Sequence, residues 1–180
     1  MQILFRNAAI LDGESPQRRE GHEVLVEGGT IREVSAKPIV AADARIVDLK
    51  GRTLMPGLID CHVHVTAFMA DLGANAKVPT SLAAFKVAGI LKAMLERGFT
   101  TVRDAGGADH ALALATEQGA TPGPRLFPAG KALSQTGGHA DFRGRFDDSE
   151  SCACCRNIGM LGRLVDGVDA CRKAVREEMK

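Results

Sequence analysis

The sequence predicts an α/β protein in two parts: a small β-sandwich-like unit, incomplete by itself, over residues 1–53, and the first three strands and helices of a (β/α)8 TIM barrel over residues 54–180. Three observations predict it. Residues 2–55 hold short apolar runs broken by glycines. Beyond Pro56-Gly57, strand-like runs alternate with segments of helical period, the pattern of a parallel sheet. The chain then ends in a helical segment with no Gly, Asn or Pro stop signal; a whole barrel takes about 250 residues, so the expectation is a truncated, N-terminal fragment.

In the first part, strands are expected at 2–11, 23–27, 30–35 and 45–49, with Gly28-Gly29 as a turn. Alternation is imperfect across Val24, Val26, Ile31 and Val34, which leaves the pairing loosely defined. In the second part the first strand is 58–65, and a polar stretch of mobile character follows over 66–79. A helix then opens at Thr80 or Ser81 and closes at Gly98, its apolar face made by Leu82, Phe85, Leu91, Met94 and Leu95. Residues 99–103 form the second strand, 108–118 the second helix ended by Gly119, and 125–129 the third strand. Residues 132–160 show no period and are too long for a plain connector, which points to a functional or mobile segment. The last helix carries Val168, Cys171, Val175 and Met179 along one face.

Composition narrows the function classes. Twenty-three Lys and Arg against 22 Asp and Glu leave a formal charge of +1, so nothing in the balance gathers nucleic acid or anionic lipid. No run reaches the roughly 18 apolar residues of a membrane span, and residues 1–12 lack the order of a signal peptide; a cytoplasmic protein without membrane partner is expected. Five cysteines, an odd count, argue for reduced thiols over a disulfide framework.

The chemical signal is GLIDCHVH, residues 57–64, an apolar strand ending in two histidines one residue apart. Side chains at i and i+2 of a strand share a face, so His62 and His64 offer two ring nitrogens to one ion, while Val63 packs behind. His-x-His also arises by chance. What favours ligation is the context: Pro56-Gly57 opens the junction, Asp60 precedes the pair, and the strand leads to the C-terminal mouth where barrels place chemistry.

Together with this motif, LERGFTTVRDAGG (95–107), PGPRLFPAGKALSQTGGHAD (122–141) and LVDGVDACRKAVREEMK (164–180) make the chain resemble the amidohydrolase superfamily, in its imidazolonepropionase-like and Xaa-Pro dipeptidase branch. The resemblance covers nearly the whole chain. It implies that His62 and His64 bind the more buried of one or two divalent ions, zinc foremost. It further implies a bridging carboxylated lysine, two histidines and an aspartate general base on strands beyond residue 180, so that no catalytic residue lies in this chain and the fragment alone is inactive. The implied reaction is attack of metal-bound hydroxide on an amide or lactam carbonyl; coordination lowers the pKa of water from 15.7 to about 7.

His139, in TGGHAD after the third strand, is a candidate substrate contact at the barrel rim, against the plainer reading of a solvent-facing loop histidine. Arg103 and Asp104 end the second strand at the same rim; either meets substrate there, or the two satisfy structural needs. Lys131 follows strand three, the wrong place for a bridging lysine, and reads as a supporting cation. His22 and His110 read as ordinary exposed residues, and Cys61 as packed away from the histidines. Cys152, Cys154 and Cys155 supply three local thiols where a closed zinc site wants four ligands, so they read as non-ligating.

The leading reading is metal-dependent hydrolysis of a carbon–nitrogen bond, by a dipeptidase or amidase acting on a dipeptide or other small molecule. The alternatives are a cyclic amidohydrolase or deaminase and, in another class, a non-catalytic barrel homologue; the sequence leaves open whether the protein is a homo-oligomer. The 180 residues alone are expected to fold poorly, because an open parallel sheet exposes apolar faces and a strand edge.

Overall fold

Gly28 and Gly29 take φ of 57° and 83°, the left-handed pair that a two-residue hairpin needs to match strand twist. The hairpin joins two strands of the first of two compact units, Met1–Pro56 and Gly57–Lys180, into which the computed structural model divides; it describes residues 1–145, 157–158 and 161–180.

Unit one is a single five-stranded sheet in which β1 (Gln2–Ile10), β2 (Arg19–Glu27), β3 (Thr30–Ser35) and β4 (Arg45–Asp48) run in the order β3-β2-β1-β4, and β5 (Thr53–Leu54) also pairs with β1. β1 and β3 flank β2 antiparallel, whereas β4 and β5 run parallel to β1. β2 begins earlier than expected: Arg19, Glu20 and Gly21 give no apolar signal, but Arg19 is drawn into register with Ile10. The uneven spacing of Ile31 and Val34 also finds its reason. A β-bulge shifts the register so that Val26 opposes Ile31 and Val24 opposes Val34, restoring both to one face despite the three-residue step. Ala8, Ile10 and Val24 form the buried centre of this sheet.

Unit two opens with β6 (Leu58–Val63), α1 (Leu72–Ala76), α2 (Thr80–Glu96), β7 (Phe99–Asp104), α3 (His110–Glu117) and β8 (Arg125–Phe127), three parallel strands in the order β6-β7-β8. Its core is Val65, Val87, Leu91, Val102, Ala108 and Leu126, one layer of helix set on one face of the sheet. Burying a Val or Leu side chain fully stabilises by about 1.5–3 kcal/mol. After β8 come β9 (Ala132–Ser134), β10 (Asn157–Ile158), β11 (Gly162–Leu164) and α4 (Val168–Glu178), with the three short strands in a second sheet ordered β10-β11-β9. Within the stretch that lacks a sequence period, β9 is thus held by parallel pairing with a distant strand, Leu133 opposite Arg163.

Several expected elements shift. α2 starts at Thr80 with Pro79 as its N-cap and no side-chain cap, and ends as expected at Gly98, whose φ of 94° turns the chain. Its buried stripe is Ala83, Val87 and Leu91, with Met94 beside them; Leu82 and Phe85 face solvent, Phe85 at 81% exposure. Steps of four place the smaller side chains against the sheet, and summed hydrophobicity pointed instead to the larger ones. α3 begins later than expected because Asp109 caps it, accepting from the Leu112 N–H at 3.0 Å. α4 buries Ala174 while Val168, Val175 and Met179 are exposed, because Glu178, one turn on from Ala174, is drawn inward by polar partners. The stretch 66–79 contains the helix α1, capped by Asp71, whose side chain accepts from Ala74 N–H. Cys152, Cys154 and Cys155 lie outside the described residues. Among the described residues no helix is long and apolar enough to cross a membrane.

Candidate metal centre

β6 pairs in parallel with β7, but one extra residue enters β6 between Asp60 and Val63: Asp60 opposes Val102, and Val63 opposes Asp104. Val63 packs on the helix-side core, whereas His62 and His64 are exposed. Their rings stand together, centroids 5.2 Å apart and planes at 76°. Two imidazoles bonded through nitrogen at about 2.0 Å to one tetrahedral ion set their ring centres roughly 5 Å apart, so the pair fits a shared cation.

The tautomer of His64 is set by its surroundings. Nδ1 lies 3.0 Å from the carbonyl oxygen of Gly106. A carbonyl only accepts, so Nδ1 carries the proton and donates it, and in the neutral ring Nε2 keeps its lone pair for an ion. Metal-binding histidines characteristically hold their second nitrogen this way. His62 is fixed through its backbone, its N–H donating to Asp60 Oδ1 at 3.0 Å.

The backbone leaving β6 is gripped from two sides. Asp104, fully buried, accepts from Val65 N–H at 2.7 Å, Gly106 N–H at 2.9 Å and Ala108 N–H at 3.1 Å. Asn75 of α1, also buried, accepts from Phe68 and Met69 N–H through Oδ1, both at 2.9 Å, and donates through Nδ2 to the Thr66 carbonyl at 3.1 Å. Six residues around His64 are thereby held by two polar side chains.

Asp104, offered by the sequence as a substrate contact, is therefore corrected: its carboxylate is sealed from solvent and occupied by backbone amides. Arg103 stays at the surface and donates from Nε to the Cys61 carbonyl at 2.7 Å, beside His62. Cys61 is exposed, where the sequence suggested a packed thiol. His139 is exposed in the loop after β9, and no hydrogen bond or ring contact among the described residues ties it to the pair. That loop is held from within and from the segment after β11: Asp141 Oδ2 accepts from Gly137 N–H at 2.8 Å, and Thr136 donates from its N–H and hydroxyl to Asp166.

Lys131 is half-buried, and burial lowers the pKa of its ammonium while the nearby Glu178 carboxylate opposes that shift. His110 is exposed at the start of α3, and His22 is half-buried with Nδ1 2.9 Å from the Glu20 carbonyl. Among the described residues no group of three or more His, Cys, Asp and Glu side chains is placed to hold an ion. Sequence reasoning missed Gly106 and Asn75, which act on the site through a carbonyl and a primary amide; the glycine doublet one residue past the strand-ending Asp104 was the available signal.

The profile of the amidohydrolase family matches residues 53–180. A solved amidohydrolase superposes with a TM-score of 0.90 at 53% identity, over 99% of this chain and 44% of its own. A solved prolidase in complex with N-methylphosphonate-L-proline does so with a TM-score of 0.91 at 51% identity, again over 99% and 44%. Ochratoxinase of Aspergillus niger is 34% identical over 139 residues, 71% of this chain and 28% of the relative. The chain spans less than half the length of these proteins. The profile match, the parallel β/α order and the paired histidines at the end of β6 agree that this chain belongs to the amidohydrolase family.

Proposed function

We propose that the protein hydrolyses the carbon–nitrogen bond of a small amide, foremost a dipeptide of the Xaa-Pro class, with His62 and His64 holding a divalent cation, zinc first among the candidates. The observation that carries this is the pair itself: two exposed rings 5.2 Å apart, one with its tautomer set by the Gly106 carbonyl. A bound cation of this kind supplies Lewis acidity and draws the pKa of water toward about 7.

This chain's residues bind and orient. The Gly106 oxygen holds the His64 proton on Nδ1 and keeps Nε2 open. Arg103, anchored by Nε on the Cys61 carbonyl, has its terminal nitrogens to offer a substrate carboxylate beside His62. His139 presents an exposed imidazole from a loop that internal hydrogen bonds hold in shape. The choice of a peptide over a cyclic amide is supported by the prolidase at 51% identity.

The test is turnover by the protein expressed from the complete reading frame that encodes this chain. Xaa-Pro and Xaa-Lys/Arg dipeptides are compared with lactams and aminated heterocycles, after loading with zinc. Release of proline from Xaa-Pro substrates is expected; silence on every dipeptide with turnover of a lactam would replace this reading with the cyclic one.

A further inference from the structure

The carboxylate of Asp104 holds two stretches of backbone that are far apart in sequence, and both lead to His64. Oδ2 accepts from the N–H of Val65, which is the peptide bonded to His64 itself. Oδ1 accepts from the N–H groups of Gly106 and Ala108. Gly106 then returns its carbonyl to His64 Nδ1. The contacts close a ring in which one buried side chain fixes both the backbone from which the imidazole projects and the acceptor that sets its rotation and tautomer.

We infer that Asp104 is a positioning residue for the His64 imidazole as a metal ligand. The inference rests on the proposed reading of His64. A purely local role, closing the turn after β7, needs only the bonds to Gly106 and Ala108. The bond to Val65, 39 residues upstream, serves no local turn and couples β6 to the Gly106 peptide. Because the carboxylate is fully buried, water offers no substitute partner for any of the three amides. Groups that orient a ligand's second nitrogen govern metal affinity although they never touch the ion.

Asp104→Asn isolates the effect. The amide keeps the size of the side chain but has one acceptor oxygen, so its NH2 must confront either Val65 N–H or the Gly106 and Ala108 pair, donor against donor. In the protein from the complete reading frame, zinc affinity measured by chelator competition is expected to weaken ~10–100-fold in Asp104→Asn. The visible bands of the cobalt-loaded protein are expected to change with it, as a shift in ligand geometry requires and a loss of stability alone does not.

His62→Ala and His64→Ala separate the two claims. If they bind zinc like the unaltered protein, the metal reading itself fails. If they lose zinc while Asp104→Asn keeps full affinity and an unchanged cobalt spectrum, the positioning inference is overturned and the metal reading stands. Should Asp104→Asn not fold, amide exchange in the unaltered protein decides. Coupling is reciprocal, so zinc is expected to slow exchange at Val65, Gly106 and Ala108 together by ~10-fold, and equal rates with and without zinc overturn the inference.

Discussion

Arg143 grips the carboxylate of Asp141 with two nitrogens, Nε on Oδ1 at 2.7 Å and Nη2 on Oδ2 at 2.6 Å. The hydrogen bonds from Arg143 hold the Asp141 pKa well below the usual carboxylate range, and Gly137 N–H adds to the effect. A carboxylate depressed in the folded state stabilises above its unfolded pKa, near 4, and that contribution is lost as pH falls toward the folded value. Asp141→Asn is therefore expected to cost about 1.5–3 kcal/mol near neutral pH and to flatten the acid side of the stability profile. Urea melts of both proteins at about pH 7 and about pH 3 check this: the gap between them should narrow at the lower pH.

His62 and His64 are exposed and lie outside the buried core, so their removal should separate function from folding. His62→Ala and His64→Ala are each expected to lower hydrolytic activity by more than ~100-fold, exceeding what loss of an outer contact does. Thermal midpoints of the metal-free proteins should stay close together, within about 0.5 kcal/mol of stability. Metal content after dialysis, set beside the melting curves, measures both.

Leu91 is fully buried between α2 and the sheet, in contact with the core of Val87, Val102 and Leu126. Leu91→Ala is expected to destabilise by about 2–5 kcal/mol, through lost burial and the cavity left behind. Phe85→Ala, on the exposed face of the same helix, should change stability by less than about 0.5 kcal/mol. Chemical denaturation of the two variants tests which face of α2 is inside.

Gly57 precedes β6, and a Cβ there would collide with the side chain of Thr100, which interrupts the β7 register at that point. Gly57→Ala is expected to destabilise by about 1–3 kcal/mol. Adding Thr100→Gly should recover part of that loss by clearing the contact, and a double variant no more stable than Gly57→Ala would show that the clash is not the cause.

How far the sequence reaches is visible at single residues. Apolar runs and helical periods disclosed the hairpin at Gly28-Gly29, the parallel succession of β6, β7 and β8 and the helices α2 and α3, because each depends on side chains close together in the chain. The spacing of His62 and His64 disclosed their shared face, since strand geometry alone carries that relation. Other features depend on partners far along the chain. Arg19 is a strand residue only because Ile10 pairs with it, and Leu133 only because Arg163 does. Asp104 looked like a rim carboxylate and became a buried acceptor once Val65 lay beside it. Local periodicity is written into neighbouring residues, but which buried polar group meets which backbone amide is settled by the packing of segments tens of residues apart, and the orientation of the His64 ring belongs to that second kind of information.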